Sequence, residues 1–160
     1  YTGGKDCPNC PAMGINWIQA SKYCRWAGKR LPREEEWEAA ARGVTSFFYP
    51  WGEVFLPLRS NLLGEEDGYL FSAPVGSFQS GSSASGVMDM AGNVWEWVDS
   101  KKSTRPQPET RIVKGGGWTS DEKQARISFR NHVNLKMKNP TFGFRCAKSL
   151  LKEKRNRAEK

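Results

Sequence analysis

The segment Gly92-Asn93-Val94-Trp95-Glu96-Trp97 constrains the fold more than any other, because it places two indoles and one carboxylate beside a glycine–asparagine turn. Successive side chains of a β-strand point to opposite faces of the sheet. A short strand here would direct Trp95 and Trp97 to one face and Glu96 to the other. The rings would need a substantial core, and the carboxylate would need a cation, an arginine or backbone N–H groups.

Two helices are predicted upstream of this segment. Asn16 and Gln19 have the spacing of a capping box, and apolar residues then recur at helical intervals, so a first helix is predicted over 17–27. Pro32 suits the first turn of a second helix, and the three consecutive glutamates that follow suit its positive end. Gly43 is predicted to end this second helix.

After the second helix the pattern changes to short apolar runs separated by glycine, proline, serine and asparagine, which is typical of loops and brief strands. Strands are predicted over 94–98, 112–114, 126–130 and 143–147. Two helices and a small antiparallel sheet indicate a loop-rich α+β domain. We predict an N-terminal loop over 1–15, one domain over 16–148 and a basic C-terminal tail over 149–160.

The formal net charge of +8 raises the question of nucleic-acid binding. The last ten residues carry five basic and two acidic groups, so three of the eight net charges belong to the tail. The aromatic residues occupy periodic positions that suit a core rather than an exposed platform for bases. Nucleic-acid binding is therefore not predicted. A transmembrane segment is not predicted either, because no window offers the roughly 18 apolar residues that one needs.

The four cysteines leave several pairings open. Cys7 and Cys10 have the spacing of a redox or zinc half-site, but Pro11 stands where a haem-attachment motif would need histidine. A zinc site would require Cys24 and Cys146 to converge on the first pair, without a second close pair to support it. Disulfides in an oxidising compartment are the favoured interpretation.

Five motifs in order resemble those of the formylglycine-generating enzyme family, also called the sulfatase-modifying factor domain. They are the segments 26–43, 50–52 (Pro-Trp-Gly), 91–97, 114–118 (Lys-Gly-Gly-Gly-Trp) and 143–146 (Gly-Phe-Arg-Cys). The resemblance extends over about residues 11–147. It implies a variant of the C-type-lectin fold, and an N-terminal part of the domain that is missing from this chain.

The resemblance also implies a pairing for two of the cysteines. Cys24 and Cys146 match positions that form a disulfide in secreted members of the family, which places the protein in the periplasm or outside the cell. Cys7 and Cys10 have no counterpart in the family, and they remain a local disulfide or free thiols.

In the family's true enzymes, two cysteines bind copper(I) and engage the substrate cysteine. Matched by motif, their positions fall on Ser120 and Ala125, whose side chains cannot replace soft thiolates. The resemblance therefore implies a non-catalytic domain. A related iron-dependent branch uses three histidines, whereas this chain has only His132. A hydrolytic triad of Ser120, Asp121 and His132 is a further alternative without supporting sequence context.

Family members carry two structural calcium sites, and the resemblance implies the same for this chain. Calcium prefers six to eight oxygen ligands, which carboxylates, amides and backbone carbonyls supply. The matching residues are Asn61, Leu62, Asp67 and Tyr69 for one site, and Asp89, Gly92, Val94 and Glu96 for the other. The alternative is that Asp67 and Asp89 cap turns and that Glu96 accepts backbone N–H bonds.

Residues 119–141 fill the region where the family's enzymes bind substrate. The segment 131–139 is mixed basic and apolar, and we interpret it as a partner-binding loop that includes Asn131, His132, Asn134, Lys136 and Lys138. The sequence thus predicts a calcium-stabilised protein-binding or assembly module. The alternative is a sulfatase-maturation oxidoreductase whose missing groups come from upstream sequence or another chain.

Overall fold

The computed structural model describes residues 7–100 and 109–149. The elements within these ranges are α1 (Trp17–Trp26), α2 (Glu34–Arg42), a 3₁₀ turn (Gln79–Gly81), β1 (Trp95–Trp97), β2 (Thr110–Lys114), β3 (Asn131–Asn134) and β4 (Phe142–Gly143). Residues 1–6 of the predicted N-terminal loop and nearly all of the predicted tail lie outside the described residues. Among the described helices, none has the length and apolar character that crossing a bilayer requires.

The first helix begins as predicted. The Asn16 side chain accepts a hydrogen bond from the Gln19 N–H at 2.9 Å, and the Gln19 side chain accepts one from the Asn16 N–H at 3.2 Å. The capping box therefore satisfies two N–H groups at the start of α1. Ala20 and Cys24 are buried on its inner face, whereas Trp26 is 81% exposed at its end. Trp26 is thus not a core residue.

The second helix begins two residues later than predicted. Pro32 precedes the N-cap residue Arg33, so it does not lie in the first turn. The Glu36 carboxylate accepts the Arg33 N–H at 2.8 Å, which fixes the start of α2. Gly43 ends the helix at φ +64°, a left-handed conformation that glycine adopts without strain. Trp37 is buried on its inner face.

The four strands form one mixed sheet in the order β3-β2-β1-β4. β2 pairs antiparallel with both β1 and β3, but β4 pairs parallel with β1, with Trp95 opposite Phe142. The prediction of an all-antiparallel sheet is therefore wrong for β4. The chain crosses from the β3 edge of the sheet to the opposite edge before β4, and local periodicity does not reveal the direction of such a crossing strand.

Two of the four predicted strands need correction. The segment 126–130 forms turns, because the N–H groups of Ala125 and Phe129 donate to the nearby carbonyls of Asp121 and Arg126 at 3.2 and 2.9 Å. A strand begins only at the residue after this segment. The segment predicted over 143–147 is also too long. It contributes the end of β4 and one isolated bridge, between Ala147 and Arg30.

The two helices pack on opposite faces of the sheet. Val113 belongs to a core cluster with Cys24 of α1 and with Trp95 and Trp97, whereas the neighbouring Ile112 belongs to a cluster with Trp37 of α2. Because consecutive strand residues face opposite sides, these clusters define two layers. The predicted separation of the two indoles from the Glu96 carboxylate is confirmed, since Glu96 contacts Trp37 on the α2 side.

Side chains, rather than regular secondary structure, hold the loops. The indole N–H of Trp97 donates to the Ile15 carbonyl at 2.7 Å, and that of Trp17 donates to the Val98 carbonyl at 3.0 Å. The Asn93 amide makes two hydrogen bonds to the Ala73 backbone, at 3.0 and 3.2 Å. These bonds satisfy buried polar groups that have no strand partner.

Both pairs of cysteines form disulfides. The predicted bond between Cys24 and Cys146 is confirmed, and it ties α1 to the segment that follows β4, with a Cα–Cα distance of 5.5 Å. The state of Cys7 and Cys10, left open by the sequence, is a local disulfide with a Cα–Cα distance of 5.3 Å. Stable disulfides are typical of proteins that leave the reducing cytosol.

Candidate functional site

Ser120 and Ala125 lie side by side in a buried position behind Gly116. A Cβ atom built on Gly116 would lie 3.3 Å from the Ser120 Cβ and 3.3 Å from the Ala125 Cα. Gly116 has a φ of +78°, so only glycine fits this backbone without strain. Ser120 is 1% exposed and Ala125 is fully buried. The structure thus brings together the two positions that the family resemblance assigns to the copper-binding thiols.

The polar groups around Ser120 serve the turn rather than a catalytic relay. The Ser120 hydroxyl accepts the Gly117 N–H at 3.0 Å. The Asp121 carboxylate accepts the Gln124 N–H at 2.8 Å, and the Gln124 side chain accepts the Asp121 N–H at 3.2 Å. Within residues 7–100 and 109–149, no hydrogen bond joins Ser120, Asp121 and His132. These three side chains are therefore not arranged as a triad.

A cavity of about 460 Å³ opens beside Ser120. We call it the Asn131 cavity. Its walls come from β1, β3, β4 and the loops that join β2 to β3 and β3 to β4, and most of the lining side chains are polar. These include Thr119, Ser120, Gln124, Asn131, His132, Asn134, Asn139 and Thr141. Amide and hydroxyl groups both donate and accept hydrogen bonds, so the cavity can bind the backbone and polar side chains of a peptide.

The predicted partner-binding loop is divided by the structure. Its first four residues form β3, an edge strand of the sheet, so this part is not a loop. Asn131, His132 and Asn134 line the Asn131 cavity. Lys136 instead pairs with Glu109 at 3.1 Å, and Lys138 is not among the cavity's lining residues.

The lining of the Asn131 cavity also includes four polar residues that sequence reasoning did not single out: Thr119, Gln124, Asn139 and Thr141. All four fall within the substrate region 119–141 that the resemblance indicated. Asn139 accepts hydrogen bonds from both the N–H and the hydroxyl of Thr141 at 2.8 Å, which orders the turn before β4. The Asn-x-Thr pattern favours such a turn, and it is the sequence signal that could have identified this part of the cavity.

The Glu96 carboxylate has an arginine as its partner. Arg145 donates from Nε and Nη2 to the two carboxylate oxygens at 2.6 and 2.7 Å, and the Trp37 indole N–H donates to Oε2 at 2.6 Å. The Arg145 Nη2 also donates to the Met88 and Asp89 carbonyls at 3.0 and 3.2 Å. A bidentate pair of this kind neutralises the charge of the buried carboxylate.

The second predicted calcium set is built around this ion pair. The Asp89 carboxylate accepts the Gly76 N–H at 2.7 Å, as a turn cap would. Burial raises the pKa of Asp89, partly offset by that hydrogen bond and by the nearby Arg145. With Arg145 on Glu96, the set of Asp89, Gly92, Val94 and Glu96 does not fit a calcium ion in this arrangement, and calcium there remains a prediction.

The first predicted calcium set fits a cation better. The Asn61 side chain is fully buried, and its Nδ2 donates to the Phe71 carbonyl at 2.7 Å, but its Oδ1 has no hydrogen-bond partner. The Asp67 carboxylate accepts the Leu62 and Tyr69 N–H groups at 3.2 and 2.9 Å. An orphaned buried acceptor costs free energy unless something binds it. A cation held by Asn61, Asp67 and nearby carbonyls would satisfy it.

Carboxylates alone do not make a metal site in the described part of the chain. No three histidine, cysteine, aspartate or glutamate side chains converge among residues 7–100 and 109–149. A cation at the Asn61 set would therefore depend on amide and backbone carbonyl oxygens, which calcium accepts readily.

Two arginines in the C-terminal half of the chain form internal ion pairs. Arg130 pairs with Glu34 of α2, and Arg145 pairs with Glu96. Arg126 instead lies over the Phe48 ring at 5.4 Å and donates to the Tyr49 hydroxyl at 3.5 Å.

Comparison with known proteins places these features in a family. Residues 2–150 match the model of the sulfatase-modifying factor enzyme 1-like domain. The chain is 39% identical over 152 residues to the Bos taurus protein named inactive C-alpha-formylglycine-generating enzyme 2, covering 86% of this chain and 50% of that protein. It is 33% identical over 168 residues to the formylglycine-generating enzyme of Streptomyces coelicolor, covering 88% and 53%.

A solved structure agrees with the family match. PvdO from Pseudomonas aeruginosa superimposes with a TM-score of 0.76 at 28% identity, covering 89% of this chain and 63% of that chain. The present chain spans about half the length of the two curated relatives described above.

Proposed function

Because the chain belongs to the sulfatase-modifying factor domain family, we propose that it is a non-catalytic member that binds a protein partner. One observation carries the proposal. The buried position behind Gly116 holds a hydroxyl and a methyl group, at Ser120 and Ala125, and all four cysteines of the chain are in disulfides. Copper(I) needs soft thiolate ligands, which the oxidised chain does not offer. The name of the inactive Bos taurus relative agrees with this proposal.

Wild-type protein is expected neither to bind copper(I) nor to consume oxygen with a cysteine-containing peptide. The double variant Ser120→Cys/Ala125→Cys restores two thiols at adjacent buried positions, so it is expected to bind about one copper(I) per chain. Metal analysis after gel filtration and an oxygen electrode measure these results.

The single variant Ser120→Cys is the matched control and is expected to bind copper(I) far more weakly. Oxygen consumption by the wild-type protein, with copper or iron at one per chain, would instead support the oxidoreductase alternative. In that case, the missing ligands would come from upstream sequence or another chain.

We assign the binding surface to the Asn131 cavity. Its lining side chains carry amides and hydroxyls, and its edge strand β3 lies beside them. Such a surface suits an extended polypeptide, whose backbone offers alternating donors and acceptors. Asn131, His132 and Asn134 lie on this strand, so their positions are set by the sheet rather than by a loose loop.

Loss of the Asn131 and Asn134 amides is expected to weaken peptide binding. Peptides selected from a random display library against the wild-type protein should bind Asn131→Ala/Asn134→Ala at least about tenfold more weakly, because each lost hydrogen bond is worth roughly 1 kcal/mol. Fluorescence anisotropy with a labelled peptide measures the change in Kd.

Lys136→Ala serves as the control, since this residue pairs with Glu109 and does not line the cavity. Equal affinity for the wild-type protein and the double variant would contradict the assignment. Thermal melts show whether the double variant keeps its stability.

We further propose that calcium stabilises the loop that contains Asn61, with ligands from the side chains of Asn61 and Asp67 and the carbonyls of Leu62 and Tyr69. Calcium at about 100 times its Kd would add about 2.7 kcal/mol to the free energy of unfolding. For a chain of this length, that raises the Tm by roughly 5 to 10 °C.

The variant Asp67→Asn is expected to lose most of this calcium-dependent rise in Tm. Asp89→Asn, in the other set, is expected to keep it. Differential scanning fluorimetry with calcium and with a chelator measures both. A wild-type Tm that is the same in calcium and in chelator would refute the proposal.

We propose that the protein functions in the periplasm or outside the cell. Its two disulfides support an oxidising compartment. Trapping of free thiols in intact cells, before lysis, checks this placement, because a cytosolic protein would react with the trapping reagent at its cysteines.

A further inference from the structure

The two disulfides of this chain differ in the features that control reactivity. Cys24 is fully buried and Cys146 is partly exposed, and the bond between them joins residues 122 apart. Cys7 and Cys10 are both partly exposed, and their bond joins residues three apart. The two residues between them, Pro8 and Asn9, are exposed. Cys-x-x-Cys is the spacing of redox-active pairs, and exposed disulfides are the ones that exchange most readily.

The loop around Cys7 and Cys10 is held in place by contacts that do not involve sulfur. The Asn9 carbonyl accepts the Val75 N–H at 2.8 Å, and the Gly14 N–H donates to the Phe142 carbonyl at 3.0 Å. The Ile15 carbonyl accepts the Trp97 indole N–H at 2.7 Å. Opening the local disulfide therefore leaves the attachment of the loop to the sheet intact, as a reversible redox centre requires.

The surroundings of Cys10 suit the reduced state and a bound substrate. Its Sγ lies 3.6 Å from the Ser72 carbonyl oxygen, which can accept a hydrogen bond from the Cys10 thiol once the disulfide opens. Cys10 also lines a cavity of about 500 Å³, whose walls combine the apolar residues Pro11, Val75, Met88 and Phe144 with the charged residues Asp89, Glu96 and Arg145. A peptide segment that carries a thiol can dock there beside the disulfide.

We propose that Cys7 and Cys10 form a thiol–disulfide exchange centre that acts on a protein dithiol. A substrate thiolate attacks the Sγ of Cys7, because the Cys10 sulfur faces Ser72. The Cys7–Cys10 bond breaks, a mixed disulfide forms at Cys7, and Cys10 leaves as a thiolate that takes a proton from water. The second substrate thiolate then displaces Cys7. The substrate dithiol is oxidised by two electrons to a disulfide, and Cys7 and Cys10 are reduced to thiols.

The first experiment compares the two disulfides within the same molecule. The full chain is equilibrated with reduced and oxidised glutathione at a series of ratios, its free thiols are alkylated, and each pair is quantified by peptide mass spectrometry. We expect the Cys7–Cys10 bond to be half reduced under conditions at least about tenfold less reducing than the Cys24–Cys146 bond, with the near-ultraviolet circular dichroism unchanged. Reduction of both bonds together, or only with loss of that signal, would overturn the proposal.

The second experiment tests which sulfur is attacked. The variant Cys10→Ser leaves a free Cys7 thiol, which is expected to form a mixed disulfide with oxidised glutathione. The matched variant Cys7→Ser leaves only Cys10, and its mixed disulfide should form about tenfold more slowly because that sulfur lies against Ser72. Cys7→Ser/Cys10→Ser should form none and should keep the wild-type fold. Equal rates for the two single variants, or no adduct with Cys10→Ser, would contradict the assigned roles.

Discussion

Replacement of Cys24 and Cys146 by alanine is expected to lower the free energy of unfolding by about 4 to 5 kcal/mol. The bond joins residues 122 apart, and closing so long a loop removes a large part of the conformational entropy of the unfolded chain. A loss of this size lowers the Tm by roughly 10 to 20 °C for a domain of this length. Urea denaturation and calorimetry of the oxidised protein measure both quantities.

The local disulfide provides the matched control. Cys7→Ser/Cys10→Ser opens a loop between residues only three apart, so its expected cost is about 2 kcal/mol. Equal losses for the two pairs would show that the long bond does not hold α1 to the segment after β4. The outcome also bears on the exchange centre, since a pair used for redox chemistry must be dispensable to the fold.

Replacement of Arg145 by methionine is expected to cost about 3 to 5 kcal/mol. The Glu96 side chain is 6% exposed and that of Arg145 is 28% exposed, so the variant leaves a buried carboxylate without its countercharge. The indole N–H of Trp37 remains, but one neutral donor does not replace a bidentate guanidinium. Chemical denaturation at neutral pH measures the loss.

Two comparison variants separate this effect from the general loss of a surface arginine. Arg33→Met breaks a pair whose arginine side chain is 58% exposed, and solvent screening makes its expected cost much smaller than that of Arg145→Met. Glu96→Gln/Arg145→Met removes both charges and should recover much of the lost stability. If Arg145→Met lowers the free energy of unfolding no more than Arg33→Met does, Glu96 has another countercharge.

The Arg145→Met variant also tests the second calcium set. With Arg145 gone, the Glu96 carboxylate is free to bind a cation together with Asp89. A calcium-dependent rise in Tm larger than that of wild type, with the excess lost when Asp89→Asn is added, would show that arginine has taken the place of the ion. A rise already present in wild type, and abolished by Asp89→Asn, would show that calcium displaces Arg145.

Local features of the fold could be predicted because their causes lie within a few residues of one another. The hydrogen bonds of the Asn16–Gln19 capping box span three residues, so the start of α1 could be predicted from the sequence alone. The failure at 126–130 has a local cause too. Asp121 and Gln124 cap a turn that satisfies the nearby N–H groups, and this turn outcompetes the apolar pattern that suggested a strand.

Features of the candidate site required contacts between distant segments. The family motifs identified Ser120 and Ala125 as the positions of interest, but only the structure places both against Gly116. The partner-binding residues were predicted as one loop. In the structure Asn131 lines the cavity from strand β3, whereas Lys136 forms an exposed ion pair with Glu109. Sequence spacing does not show where β3 ends, because its length is set by pairing with β2, a strand that is distant in the chain.

The amino-acid sequence by itself determined the capping box of the first helix, the presence of a second helix that ends at Gly43, the alternation that separates Trp95 and Trp97 from Glu96, and the absence of a thiol pair at positions 120 and 125. Tertiary structure alone decided that Glu96 meets Arg145, 49 residues away. The physical reason is that capping and strand alternation are short-range. The partner of a buried charge depends on which distant groups the folded chain brings within a few ångströms.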